Sequence, residues 1–271
     1  MKTIAYTIGT LVTNPVQYAE MKASLISKGF AEEDCEYIFI DNTGERQTDA
    51  YAGLNQLLLQ ARGERIILCH QDVLLLEDGR QQLEDRLAEL TELDPSWAVA
   101  GNAGCPSLRR FAVRIRERSG RNWCTGELPA RVMSVDENFI VVTRESRVSF
   151  SRDLTGFHLY GADLCLIAEI LGYHSYVINF HLHHLGEGKT GEPFRQSRQA
   201  FRKKWEYALR DRFMQTTCTY LLVSGRQPSY VVRRFREIVA RFVAKIQVKV
   251  ASALRRIRKY QSERLERIHP A

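Results

Sequence analysis

Three groups of side chains in this chain could do chemistry. The first is a pair of carboxylates, each closing an apolar run: Tyr37-Ile38-Phe39-Ile40 ends at Asp41-Asn42, and Arg65-Ile66-Ile67-Leu68-Cys69 ends at His70-Gln71-Asp72. The second is His181, His183 and His184, three imidazoles within four residues of a chain that has seven histidines. The third is Asp163, just after Gly161 where a helical stretch starts, with His158 before it and Asp136-Glu137 ahead of the run Asn138–Val142. Oxygen donors suit Mg²⁺ and imidazole suits Mn²⁺, so Asp72 with His70 or His183 reads as a divalent-cation site. Taken singly, Asp41 and Asp72 would cap turns. Asp163 would cap its helix and stabilise the helix dipole by about 0.3–1 kcal/mol. Two carboxylates at successive strand ends argue for a site.

The elements that must position these groups follow from periodicity. Tyr18, Met21 and Leu25 recur at helical spacing after Pro15 and stop near Gly29; Tyr51, Leu54, Leu58 and Ala61 do so before Gly63; Leu83, Leu87 and Leu90 mark a third helix. Between them lie continuous apolar strands, beginning with a β-rich run Thr3–Ile8 and continuing to Trp97–Ala100. Buried strands separated by amphipathic helices predict an α/β fold, a Rossmann-like, mostly parallel sheet flanked by helices. In such sheets ligands bind beyond the carboxyl ends of the strands, which brings Asp41 and His70-Gln71-Asp72 to one crevice. Residues 101–131 break the rhythm: Phe111, Val113 and Ile115 alternate with arginines before Ser119-Gly120, as in an exposed hairpin. The pattern resumes at Asn138–Val142, with a helix over Ala162–Leu171, a strand over Ser175–Asn179, and a glycine-rich stretch from Gly186 to Gly191.

The 271 residues are 44% hydrophobic and 26% charged, which excludes a disordered chain, a collagen or a disulfide miniprotein. Six scattered cysteines without a C-x-x-C pair predict a reducing compartment and no structural metal cluster. The first ten residues carry no signal peptide, and no apolar run reaches the roughly 18 residues of a membrane span. A cytoplasmic protein is expected.

Four stretches resemble the family-2 glycosyltransferases of the GT-A fold, in particular a small bacterial branch with a streptomycin-biosynthesis-like domain. Tyr-Ile-Phe-Ile-Asp-Asn (37–42) looks like the strand whose last Asp holds the nucleotide base. Leu54-Asn55-Gln56-Leu57 with Ala61-Arg62-Gly63-Glu64 resembles the helix and turn before the metal strand. Cys-His-Gln-Asp-Val (69–73) is similar to that branch's form of the D-x-D motif. Gly-Phe-His-Leu-Tyr-Gly-Ala-Asp-Leu-Cys-Leu (156–166) resembles the acceptor-side helix, with His183-His184 and Phe201–Trp205 as the closing segment. The likeness covers about residues 1–210. It implies Asp41, Asn42, Asn55 and Asp72 on a nucleotide-sugar donor, and Mn²⁺ or Mg²⁺ on Asp72, His70 and His183. One departure matters: the family's general base would align with Gly161. Asp163 is the nearest carboxylate and takes that role in the sequence reading, with Asp136, His158 and His184 as alternative base or acceptor contacts.

The activity implied is metal-dependent, inverting sugar transfer to a cell-envelope glycan or lipid-linked acceptor. A nucleotidyltransferase would need a phosphate loop richer than Gly9-Thr10-Leu11, whereas a degenerate domain acting as a scaffold is kept open by Gly161. The formal charge of +7 is unevenly spread. Residues 226–271 hold 13 Lys and Arg against 3 Asp and Glu, which leaves 1–225 at −3. In that tail Val231, Phe235, Ile238, Phe242, Ile246, Val250, Leu254 and Ile257 recur every three or four residues among the cations. Two domains are therefore expected, 1–225 and a basic amphipathic helix over 226–271. Such a helix suits an anionic membrane surface, at the inner face of the plasma membrane, or packing on its own domain or on a second copy of the chain. Nucleic acid is not expected, because its footprint would lie on a folded face interleaved with aromatics.

Overall fold

Alternation along one strand organises the molecule: Ile67 and Cys69 enter one apolar cluster while Ile66 and Leu68 enter another, so the sheet is buried on both faces. The computed structural model describes residues 4–186, 191–225 and 230–268. Its elements are, in chain order, β1 (Tyr6–Val12), α1 (Pro15–Ser27), β2 (Cys35–Asp41), α2 (Ala50–Gln60), β3 (Arg65–Cys69), β4 (Val73–Leu74), α3 (Arg80–Leu93) and β5 (Trp97–Gly101). There follow β6 (Ala103–Ser107), β7 (Arg110–Glu117), β8 (Asn122–Thr125), β9 (Ala130–Arg131), β10 (Ser134–Val135), β11 (Phe139–Thr143), α4 (Tyr160–Ile170), β12 (His174–Val177) and β13 (Leu182–His184). The chain ends with α5 (Glu192–Leu209), β14 (Arg212–Gln215), β15 (Tyr220–Val223) and α6 (Tyr230–Ile268).

Local chemistry sets the helix starts. Asn14 caps α1 by accepting from the N–H groups of Val16 and Gln17, and Pro15 occupies the first turn where no donor is needed. Asp49 caps α2 in the same way. Met21 and Leu25 of α1 and Leu83, Leu87 and Leu90 of α3 cover one face of the sheet; Leu54 and Leu57 of α2 and Leu164 and Ala168 of α4 cover the other.

The main sheet runs β2-β1-β3-β11-β5-β12-β9. Strands β1, β2 and β3 are parallel, and β12 is parallel to β5. The mostly parallel α/β expectation holds, with two antiparallel members: β11, expected to continue the parallel order, is inserted antiparallel between β3 and β5, and β9 pairs antiparallel with β12. An apolar run reports burial but not direction. A second sheet, β10-β6-β7-β13-β4, carries the expected hairpin, β7 with β8. Residues 187–190, within the glycine-rich stretch, lie outside the described residues.

The chain divides into two compact units, Met1–Arg202 and Lys203–Ala271. The expected boundary at 225 groups 203–225 with the first domain. Within the second unit the β14–β15 hairpin is bound to α6: Leu222 N–H donates to Glu237 at 3.0 Å, and Arg236 pairs with Asp211 at 2.6 Å.

Candidate metal and donor site

Beyond the end of β3 the chain turns through His70, Gln71 and Asp72. Gln71 faces away and clasps the β1–α1 loop, its carbonyl oxygen accepting from the N–H groups of Thr13 and Asn14, both at 2.9 Å. Asp72 and His70 are left facing the other way. Strand β13 then pairs antiparallel with β4, setting His184 opposite Val73 and so beside Asp72. Leu185 N–H donates to the Asp72 main-chain oxygen at 2.9 Å and secures that register. His184 Nε2 lies 3.4 Å from Asp72 Oδ1, and His70 Nδ1 lies 3.9 Å from the same oxygen.

His70, Asp72 and His184 thus offer three ligand atoms within 4.8 Å of one another. The place expected for His183 belongs to its neighbour. His183 opposes Leu74, and strand alternation turns its ring to the other face, where Nε2 is buried without a hydrogen-bond partner among the described residues. Gly186 closes the site from the loop side: a Cβ there would collide with the Asp72 carboxylate and come within 2.9 Å of His184 Nε2.

The electrostatics suit a cation. Burial lowers the His70 pKa, so its imidazole is neutral and able to ligate. Burial would raise Asp72, but the His184 hydrogen bond and the two imidazoles outweigh it and hold the carboxyl below its usual range. His70 Nε2 sits 2.6 Å from the Tyr160 hydroxyl, which donates to the Glu137 main-chain oxygen at 3.1 Å. A carbonyl only accepts, so Tyr160 donates to it and receives the Nε2–H of His70. That tautomer leaves the lone pair on Nδ1, the nitrogen nearer Asp72. Two imidazoles and an ionised carboxylate, with one ring oriented by a tyrosine, fit a first-row divalent ion.

The other predicted residues are distributed differently. Asp41 ends β2 and is exposed, with Thr43 donating to it through hydroxyl and N–H at 2.7 and 2.9 Å; these bonds hold its pKa below the usual range. Asn42 is buried and spends its side chain on Thr48, accepting from its N–H and donating to its carbonyl. Asn55 braces Phe150 through a reciprocal pair of hydrogen bonds at 2.9 and 3.0 Å. Both asparagines therefore hold loops in shape.

Asp163 is fully buried, accepting from the Ser151 N–H at 2.8 Å and hydroxyl at 2.7 Å. It secures the chain entering α4 and presents no carboxylate to an acceptor. His158 packs edge-on against Phe194. Asp136 is exposed, and its oxygens accept from Glu137 N–H and Asn138 Nδ2, each at 2.9 Å. Sequence reasoning missed Tyr160 and Gly186 as parts of the site and named Glu137 only beside Asp136. The only signal for them was proximity in the chain to Gly161, Asp136 and His184.

No protein-family model matches the chain. It is 36% identical over 209 residues to a protein of Fuscovulum blasticum named ATP synthase subunits region ORF 6, covering 75% of this chain and 84% of that one. The chain belongs to that protein's family. The name carries no activity. Among solved structures, mannosyltransferase PcManGT from Pyrobaculum calidifontis, in complex with GDP-Man and Mn²⁺, matches at 14% identity with a TM-score of 0.52, over 75% of this chain and 65% of that one. The shared architecture is that of the GT-A glycosyltransferases. This chain spans just under two thirds of that enzyme's length.

Proposed function

We propose that this member of the family transfers a sugar from a nucleotide-sugar donor, as a metal-dependent GT-A glycosyltransferase. One observation carries the reading: the His70–Asp72–His184 trio sits just beyond β3 of a GT-A sheet, where such folds bind ligands. A divalent cation held there, Mn²⁺ in preference to Mg²⁺ given two imidazoles, would neutralise charge on the leaving diphosphate. Asp41, exposed at the end of β2, would read the base or ribose. Tyr160 orients His70, and Gly186 lets the loop backbone approach the donor closely. The finer reading is an inverting, family-2-type transfer in the streptomycin-biosynthesis-like branch.

For the acceptor we propose a cell-envelope glycan or lipid-linked molecule met at the inner face of the plasma membrane. No helix among the described residues is long and apolar enough to cross a membrane. Support comes from α6, where Val231, Phe235, Ile238, Phe242, Ile246, Val250 and Leu254 are all exposed among arginines and lysines.

The deciding experiment is a thermal-shift and calorimetric panel of UDP-, GDP- and dTDP-sugars with and without Mn²⁺. Stabilisation that requires both donor and metal is expected. If no donor stabilises the chain, the reading gives way to the second one, a catalytically degenerate scaffold. That alternative draws on Gly161 and on the burial of Asp163.

A further inference from the structure

Position 161, where a carboxylate would be expected, has no room for a side chain. A Cβ on Gly161 would collide with the main-chain oxygen of Val135, because α4 starts directly against the β10–β11 segment. The nearest side-chain atom to that absent Cβ, at 3.4 Å, is Cγ of Glu137. A carboxylate therefore does reach the start of α4, carried by the facing segment instead of by the helix.

Local backbone holds it there. Leu159, the N-cap of α4, has a left-handed φ of 66° and offers no side-chain cap. The N–H groups of Leu159, Tyr160 and Gly161, left without a side-chain cap, favour the charged form of the Glu137 carboxylate instead. Through its own main-chain oxygen, Glu137 is also one hydroxyl away from His70. The other carboxylates nearby are committed: Asp163 is buried on Ser151, and Asp136 on Glu137 N–H and Asn138.

We propose that Glu137 is the catalytic base of this site, a carboxylate brought to the start of α4 by the segment packed against it instead of by position 161. The proposal rests on the glycosyl-transfer reading above. In the step, the Glu137 carboxylate takes the proton of the acceptor hydroxyl. The acceptor oxygen then bonds the anomeric carbon, the bond from that carbon to the donor diphosphate breaks, and its electron pair leaves with the diphosphate. Glu137 returns the proton to solvent. Burial, followed by the charge of Asp136, pushes Glu137 up to about 8 against the pull of the three N–H groups. A base of that strength is matched to a neutral medium. The titratable groups facing it are Asp136 from its own segment, Tyr160 from α4 and Tyr51 from α2.

The test uses the full chain with Mn²⁺ and UDP-glucose, UDP-GlcNAc and GDP-mannose. It follows donor affinity by calorimetry and nucleoside diphosphate release to water, which stands in for the acceptor. Glu137→Gln keeps a capping oxygen for the helix. It should bind donor and Mn²⁺ as the wild type does but release diphosphate at least about 100-fold more slowly, with Glu137→Asp recovering part of the rate. A Gln variant that binds and turns over normally overturns the proposal, as does a wild type that binds donor without releasing product. If no donor binds the wild type, the glycosyl-transfer reading falls first and takes this proposal with it. Should Glu137→Gln melt early, Glu137→Asp supplies the comparison on a shorter-reaching carboxylate.

Discussion

His184 reaches Asp72 at 3.4 Å across the pairing of two of the shortest strands, β4 and β13, whose partners lie more than a hundred residues apart in the chain. The site is thus assembled by the second sheet as much as by the first. His70 and Asp72 come from the end of β3; the third candidate ligand comes from a strand whose register is secured by Leu185 N–H on the Asp72 carbonyl.

Because none of the three side chains belongs to either apolar cluster, each can be removed without dismantling the core. Asp72→Ala should abolish Mn²⁺ binding measured by calorimetry while circular dichroism stays native. Tyr160→Phe keeps the ring packed on Tyr51 and Phe150 but frees the tautomer of His70. It should weaken Mn²⁺ binding by about 10–100-fold. Unchanged affinity in Tyr160→Phe would show that the hydroxyl does not orient the ligand.

Two glycines should respond to alanine in opposite ways. At Gly161 the added methyl meets main chain that cannot yield, so a loss of about 1–3 kcal/mol is expected. At roughly 2–4 °C per kcal/mol that is several degrees in thermal melting. At Gly186 the methyl meets the Asp72 carboxylate and the His184 ring. Melting should hold there, and Mn²⁺ affinity should fall. A common melting loss with no change in metal binding would remove Gly186 from the site.

The sheet was legible because burial leaves a direct trace: strands apolar on both faces, helices apolar on one. The site was only half legible. His70 and Asp72 follow an apolar run, so the strand-end rule found them. His183 and His184 differ by one residue, and only the register against β4 decides which of them faces Asp72. Asp163 has the residue type of a base, but its burial on Ser151 is a tertiary fact. Glu137 meets α4 across 22 residues of intervening chain, a juxtaposition that no local pattern encodes.

Glu137 also gives the fold a pH dependence of known sign. Its carboxyl is raised from an ordinary value of 4.5 to about 8 in the folded chain, so the folded state favours the protonated form. Stability from this group is complete below the unfolded value and is lost as pH rises through about 8. Between pH 5 and 9 the melting temperature of the wild type should fall relative to Glu137→Gln, which has no proton to lose. Parallel melting curves for the two proteins across that range would show that Glu137 is not held in the protonated form.

The exposed stripe of α6 makes the last prediction. Phe235 and Phe242 are 67% and 64% exposed, and burying one such side chain yields about 1.5–3 kcal/mol. A second copy of the chain would set two helices of the same basic tail side by side, so like charge opposes self-association. An anionic bilayer accepts both features, since the apolar stripe enters the interface while the cations stay at the headgroups, each adding about 1 kcal/mol. The full chain should co-sediment with phosphatidylglycerol vesicles, bind phosphatidylcholine vesicles far more weakly, and be released by high salt. Replacing both Phe235 and Phe242 by Ser should cut partitioning by at least about 100-fold, with donor and Mn²⁺ binding intact. Equal partitioning onto neutral and anionic vesicles would exclude the electrostatic part. A concentration-dependent dimer in light scattering, without vesicle binding, would assign the stripe to a second copy of the chain.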